Sequence, residues 1–541
     1  MTPRKSSSDV QKQSESKREK VAVYDTTLRD GAQGEYVSFS LEEKLDIAKH
    51  LDWLGMDYIE GGWPYSNTKD ASFFEEAAKM KWENARIAAF GSTRRAKNKA
   101  EEDENLVALV TSKAPVVTIV GKTWDLHVTD ALRVDLDTNL KMIRDSVEFL
   151  MAGGHVQEVI YDAEHFFDGF RANRDYALRT IEAAVKGGVK LVVLCETNGG
   201  RMMDEVVEAV CEVKKRFDGI ALGIHTHNDT GVAVANTLAA VKAGCRHVQG
   251  TINGLGERCG NADLCVVIPN LEIKMGFETI GSERLKRLTE ISRYVYDTAN
   301  LMLRDNQPYV GKSAFAHKGG VHVSAIRRNP KTYEHIEPAT VGNERRILVS
   351  ELSGRSNVVE KAKHLDLEKH PEKMDRILAE VQRLENEGYQ FEAAEASFEL
   401  LARRILGDFK PFFKLLGFRV TAIHRNGALD ATEATVKIQV RDEVELSAAE
   451  GNGPVNALDK ALRRALMRFY PVLEEMSLTN FKVRIVDAQA ATEARVRVII
   501  ESKDPSSHWS TVGVSANIIE ASWLALVDSI EYKLLKGTVK S

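Results

Sequence analysis

The chain has 541 residues, with 43% hydrophobic and 28% charged side chains, the composition of an ordinary globular protein. Its 74 basic and 79 acidic residues are well mixed and leave a net charge of −5, which gives no electrostatic case for a nucleic-acid or membrane partner. No apolar run approaches the ~20 residues that span a bilayer. The five cysteines (Cys195, Cys211, Cys245, Cys259 and Cys265) lack CxxC spacing, so a reducing, cytoplasmic setting is expected rather than a disulfide framework.

Met1–Lys20 is rich in Ser, Lys and Glu and has no hydrophobic core; it is expected to be a disordered tail. Apolar strand segments then alternate with helical periods. Strands are expected at Val21–Tyr24, from Tyr58, and at Ile87–Phe90, Val116–Val120, Val156–Tyr161, Lys190–Cys195, Ile220–His225 and His247–Thr251. Helices fall between them, among them Leu41–Leu54 with Ser40 placed to cap it, Leu140–Ala152 and Tyr176–Lys186. Eight such units over about 250 residues are the size of a (β/α)8 TIM barrel. An open doubly wound sheet is disfavoured, because no Gly-x-Gly-x-x-Gly follows the first strand.

The barrel is assigned to residues 21–273, and from Lys274 the pattern turns helical, with segments at Glu283–Leu303, Glu360–His364, Lys373–Glu387 and Ala393–Leu406. This helical subdomain, 274–408, contains the His- and Gly-rich loop SAFAHKGGVHVSAIRRNPKTYEHI, Ser313–Ile336. Residues 409–541 read as an α+β domain with an internal duplication. ATVKIQV, Gly451 and Gly453, and a helix over Val455–Phe469 are echoed by ARVRVII, Gly513 and a helix over Ala516–Leu535; Asn456 and Asn517 sit at matching places. A duplicated unit without a catalytic constellation suits an effector sensor or an assembly module.

The chemistry gathers at strand ends: Arg29 and Asp30 after the first, Glu60 on the second, Asp162 and Glu164 on the fifth, Glu196-Thr197-Asn198 on the sixth. On the seventh, His225 and His227 are two apart and so share one face of an extended chain. The eighth leads into GLGERCGNA, where glycines allow close backbone approach. Asp30, His225, His227 and Asn261 together offer a carboxylate, two imidazoles and an amide oxygen. That mixed N/O set suits a divalent ion such as Mn, Mg, Zn or Co. An ion held in this way can chelate a 2-keto acid and polarise its carbonyl, with Arg29 donating to the developing oxyanion.

TTLRDGAQ, HTHNDTG and NGLGERCGNA resemble the two signatures of the acyl-CoA-dependent Claisen-condensing synthases, the 2-isopropylmalate, homocitrate and citramalate synthases of the DRE-TIM metallolyases. The resemblance implies that Asp30, His225, His227 and Asn261 ligate the metal and that Arg29 stabilises an enolate or alkoxide. It places Glu164 and Thr197 near the keto acid and the acetyl group, with Glu60 also expected at the substrate. It makes Ser313–Ile336 the active-site loop that reaches into a partner subunit of a homodimer, with His322 transferring the proton and Tyr333 assisting. Many relatives have an acidic residue two places after this histidine, where this chain has Ser324.

GGWPYSNTKD and YDAEHFFDGF resemble the citramalate branch, which joins pyruvate to acetyl-CoA, and Tyr161, Phe166 and Phe167 either shrink the keto-acid pocket or pack the core of that loop, two readings the sequence leaves even. The C-terminal duplication implies amino-acid feedback of the isoleucine or leucine type. Three other readings remain open: a synthase for a larger keto acid (2-isopropylmalate or homocitrate), a cleavage enzyme like hydroxymethylglutaryl-CoA lyase, and a non-enzymatic amino-acid sensor.

Overall fold

A computed structural model describes residues 18–348, 371–425, 428–486 and 494–539. The chain divides into two compact units, one ending at Phe315 and including Ile336–Glu344, the other made of Ala316–His335 and the chain from Arg345 onward.

In the first unit eight parallel strands close into a barrel in sequence order. They are β1 (Ala22–Asp25), β2 (Tyr58–Gly62), β3 (Arg86–Ser92), β4 (Val116–Lys122), β5 (Glu158–Glu164), β6 (Leu191–Glu196), β7 (Ala221–Thr226) and β8 (His247–Gly250). β1 seals the ring against β8 with Ala22 opposite His247 and Asp25 opposite Gly250. Side-chain alternation sorts the strand residues into two cores. Tyr24, Ala88, Val116, Ile160, Leu191 and Val193 fill the barrel interior. Their neighbours Val23, Ile59, Ala89, Val117, Val192 and Leu194 face the surrounding helices, joined by Ile47 and Leu51. Helix Leu41–Leu54 starts with a full capping box between Ser40 and Glu43 and stops at left-handed Gly55, φ +98°.

Two expectations are adjusted at the edges of this unit. At the end of the segment expected to be a tail, Glu19 pairs with Arg246, and Lys20 pairs with Asp57 at 2.9 Å and bridges to Glu278; residues 1–17 lie outside the described residues. The expected helix Glu283–Leu303 is two shorter ones, Ser282–Leu285 and Leu288–Thr298, with Asn300 left-handed (φ +53°) beyond the second.

The second unit starts with a segment expected to be a loop. It forms the short strand β9 (Ala316–His317) and a helix over Gly320–Arg328, with Val323 and Ile326 buried; β9 pairs with β10 (Arg346–Ile347). Paired glycines and β-branched Val321 and Val323 hide the helix in the sequence, because intrinsic propensity argues against it. Helices Pro371–Asn386 and Glu395–Leu406 follow, close to their expected bounds; the expected helix at Glu360–His364 falls outside the described residues.

Beyond them the duplication is explicit. β11 (Lys414–Arg425), β12 (Ala428–Val440) and β13 (Glu443–Gly451) form an antiparallel sheet followed by helix Pro454–Met467. β14 (Ser477–Ile485), β15 (Val496–Asp504) and β16 (Ser507–Ser515) repeat it, followed by helix Ile518–Val539. Apolar faces of both helices, Leu458 and Leu462 from one and Trp523 and Ile530 from the other, share one core. None of the described helices is long and apolar enough to cross a membrane.

Candidate active site at the barrel mouth

The carboxyl ends of the strands carry the polar cluster. Arg29 and Asp30 lie in the turn after β1, His225 lies on β7, and His227 follows directly at its tip. The Nε2 atoms of the two histidines face each other at 3.3 Å, and Asp30 Oδ2 lies 3.5 and 3.9 Å from them. These three residues are the one group of candidate metal donors among the described residues, with all donor atoms within 4.8 Å of one another.

Asn261 joins them through backbone pairing. It bridges antiparallel to His227, while Asn228 N–H donates to Gly260 O and Ala262 N–H to Thr226 O. Its side-chain amide donates to Leu255 O, which leaves its buried Oδ1 without a hydrogen-bond partner. A buried carbonyl oxygen with no donor carries a desolvation cost that a cation would remove. One anionic oxygen, one amide oxygen and two imidazole nitrogens form a donor set that fits a divalent ion.

Electrostatics support that arrangement. Burial pushes the Asp30 carboxyl up, but Arg29 and His225 outweigh it and hold the group well below the ordinary carboxylate range. Burial also opposes charge on His225, yet Asp30 raises its pKa. His227 is pushed down to about 4 by burial and by its neighbour His225, so its imidazole is neutral and carries a lone pair.

Arg29 is held from three sides. Its Nε donates to Glu60 Oε2 at 2.7 Å, its Nη1 donates to Asp30 Oδ2 at 3.1 Å, and the guanidinium lies 3.9 Å over the Phe90 ring. Glu60 also accepts from Tyr24 OH at 2.6 Å and Thr26 Oγ1 at 2.5 Å, and it is fully buried. Both oxygens of Glu60, expected at the substrate, are occupied by Tyr24, Thr26 and Arg29. It is the anion that neutralises and orients Arg29.

A cavity of about 570 Å3 opens above these groups. Arg29, Asp30, Lys122, Glu164, Thr197, His227 and Arg258 line it, with Trp63 and Phe90 as its aromatic wall. Glu164 is ion-paired to Lys122. Thr197 is fixed at both ends: its Oγ1 accepts from His165 N–H at 2.9 Å, and its carbonyl accepts from Arg258 at 2.7 Å. Tyr161, Phe166 and Phe167, read evenly as pocket walls or as core, are buried in the core between barrel and helices. Asp162 points inward on β5, so its neighbour Tyr161 must point out.

His322 and Tyr333 belong to the second unit, where their rings stack with centroids 4.1 Å apart. His322 is exposed, and Tyr333 is 45% exposed. The acidic group in this segment is Glu334, which is occupied by Arg345 at 2.6 Å and His317 at 3.1 Å.

Lys122, Arg258, Trp63 and Gln249 are not singled out by the sequence pattern. Only Gln249 carries a usable signal there, since it shares its inward parity on β8 with His247.

Gly260 is the loop position least tolerant of a side chain. Its φ is +86°, and an added Cβ would sit 1.9 Å from Gly254 O, a backbone atom that cannot swing away. Gly260→Ala is expected to cost about 1–2 kcal/mol from the left-handed backbone alone. It should also displace Asn261, so thermal melts would show the first effect and weakened Mn2+ binding the second.

Residues 20–295 match the family model described as HMGL-like, 309–389 match the homocitrate synthase post-HMGL domain, and 392–534 match the LeuA allosteric (dimerisation) domain. The chain is 55% identical to an (R)-citramalate synthase of Aquifex aeolicus over 96% of its own length and 98% of that protein. The same identity and coverage hold for one from Geobacter sulfurreducens. A third, from Synechocystis, is 51% identical over 95% of this chain and 96% of its own. The chain belongs to the 2-isopropylmalate/homocitrate synthase family of HMGL-like TIM-barrel enzymes, in the group that contains the (R)-citramalate synthases.

Proposed function

We propose that this chain is an acyltransferase that condenses acetyl-CoA with pyruvate and water to give (R)-citramalate and free CoA. The observation that carries the reading is the convergence of Arg29, Asp30 and His227 in the lining of one cavity, with His225 completing the donor group of Asp30 and His227. The names of the relatives supply the substrates. A divalent cation held by Asp30, His225, His227 and Asn261 would act as a Lewis acid toward the keto acid.

The chain's own residues account for the remaining work. Arg29, locked by Glu60 and Phe90, offers a fixed donor to the oxygen on which negative charge builds. Lys122, paired with Glu164, and Arg258, paired with Asp229 at 2.8 Å, set cationic donors in the cavity lining within reach of a substrate carboxylate. Trp63 and Phe90 offer an apolar wall that suits a methyl group. Thr197 and Glu164 face the acetyl and keto-acid ends, as the family resemblance implies.

His322 takes a proton from the acetyl methyl group, with Tyr333 stacked on it to hold the ring. The resulting enolate carbon attacks the keto carbon, and the new hydroxyl oxygen collects a proton. Hydrolysis of the thioester then releases CoA and draws the reaction forward. The segment around His322 serves the site of a second copy in a homodimer, supported by the match to a dimerisation domain. The duplicated C-terminal unit binds an amino-acid end product as a feedback effector in branched-chain (isoleucine-type) biosynthesis, and the setting is cytoplasmic.

CoA release with different keto acids tests the substrate. With Mn2+ or Mg2+ present, pyruvate should exceed 2-oxoisovalerate and 2-oxoglutarate in kcat/KM by roughly 10–200-fold, the range that one or two methylenes can supply. Equal turnover of 2-oxoisovalerate would replace this reading with a 2-isopropylmalate synthase. Absence of turnover with any keto acid would favour a sensor.

A further inference from the structure

His225 reaches the cluster through Nε2, so its other nitrogen must carry the ring proton if Nε2 is to offer a lone pair. The structure shows what stands at that nitrogen. Nδ1 lies 2.9 Å from Gln249 Oε1, and Gln249 Nε2 donates across the barrel to Asp162 Oδ1 at 3.1 Å. His225 and Gln249 are register partners on β7 and β8, and all three side chains are at most 4% exposed. No solvent is needed to complete this chain of hydrogen bonds.

An amide could face His225 either way round, with opposite consequences. With its oxygen toward Nδ1 it accepts the ring proton there and frees Nε2. With its NH2 toward Nδ1 it would require a lone pair at that nitrogen and push the proton onto Nε2, where it would face the imidazole of His227. Asp162 decides between them: its Oδ1 accepts from Gln249 Nε2, which leaves the amide oxygen facing Nδ1. Burial pushes this carboxyl up to about 7, and its ionised form has no proton to donate to the amide. The same contact fixes the plane of the ring.

We infer that Gln249, oriented by Asp162, is a positioning residue that sets the Nδ1–H tautomer of His225 and thereby keeps Nε2 available to a metal ion. The inference rests on the proposal that His225 is a ligand.

The test is Mn2+ binding to the full-length protein, read from the free-ion EPR signal, beside melting of the metal-free protein. Gln249→Met removes the acceptor at similar length and should weaken Mn2+ binding by roughly 10–100-fold, with little change in the metal-free melt. Gln249→Glu keeps an acceptor at Nδ1 and should restore most of the affinity. Wild-type affinity in Gln249→Met, or an equal loss in both variants, would overturn the role.

His225→Ala separates the two claims. If it also binds Mn2+ like wild type, the ligand assignment is at fault; if it loses binding while Gln249→Met keeps it, only the relay fails. Should Gln249→Met not fold, 15N spectra of histidine-labelled wild-type protein without metal decide. Recorded on the alkaline side of its titration, where the ring carries one proton, His225 protonated at Nδ1 supports the inference, and protonated at Nε2 refutes it.

Discussion

Arg29→Lys is expected to lower kcat by about 10²–10³-fold, the usual loss when one donor to a developing oxyanion is removed. The native guanidinium uses one nitrogen on Glu60, another on Asp30, and its flat face on Phe90. A lysine ammonium is a single point charge on a flexible stem and cannot meet all three at once. It does retain a cation beside buried Glu60, so folding should survive. Arg29→Ala would not be so mild. It strands a fully buried carboxylate without its cation, and loss of one partner of such a pair costs about 3–5 kcal/mol. Steady-state CoA release and a thermal melt separate the two variants. Wild-type kcat in Arg29→Lys would remove Arg29 from the chemistry.

Asp30→Asn should have the second large effect, a fall in kcat/KM on the order of 10³-fold, corresponding to the several kcal/mol that Lewis-acid assistance supplies. Asp30 is the one carboxylate in the donor group, and it stays ionised because Arg29 and His225 outweigh its burial. The asparagine keeps the shape but loses the charge that offsets a divalent ion. Stability should change far less than activity, since Arg29 retains Glu60 as its buried counter-ion. Isothermal titration with Mn2+ checks the cause directly. Undiminished affinity in Asp30→Asn would dissolve the proposed ligand set, whatever happened to turnover. Chelation of the wild-type protein should reproduce the loss, and added Mn2+ should reverse it.

Much of the barrel and its mouth is legible in the sequence, because it depends on short-range rules. Short continuous apolar runs separated by helical periods specify a barrel with its polar ends gathered at one mouth. The two-residue spacing of His225 and His227 puts both rings on one side, and Gly260 marks the sharp return that brings Asn261 beside them. The repeat in the C-terminal unit is visible for the same reason: each half carries its own strands, glycines and helix.

What local pattern could not supply was distance across the barrel interior. Gln249 and Asp162 are 87 positions apart and meet only because the closed ring turns both β8 and β5 toward one interior. Glu60 is visible in the sequence as a polar strand end, but only the packed barrel shows Tyr24, Thr26 and Arg29 on its two oxygens. Tyr161 and Phe166 read evenly as pocket walls or core until strand parity and the helix after β5 turn them into the core. Helix Gly320–Arg328 forms against its own propensity, because burial of Val323 and Ile326 outweighs the cost of glycine and β-branched residues. Periodicity assigns a side chain to a face; only the packed barrel decides what it meets there.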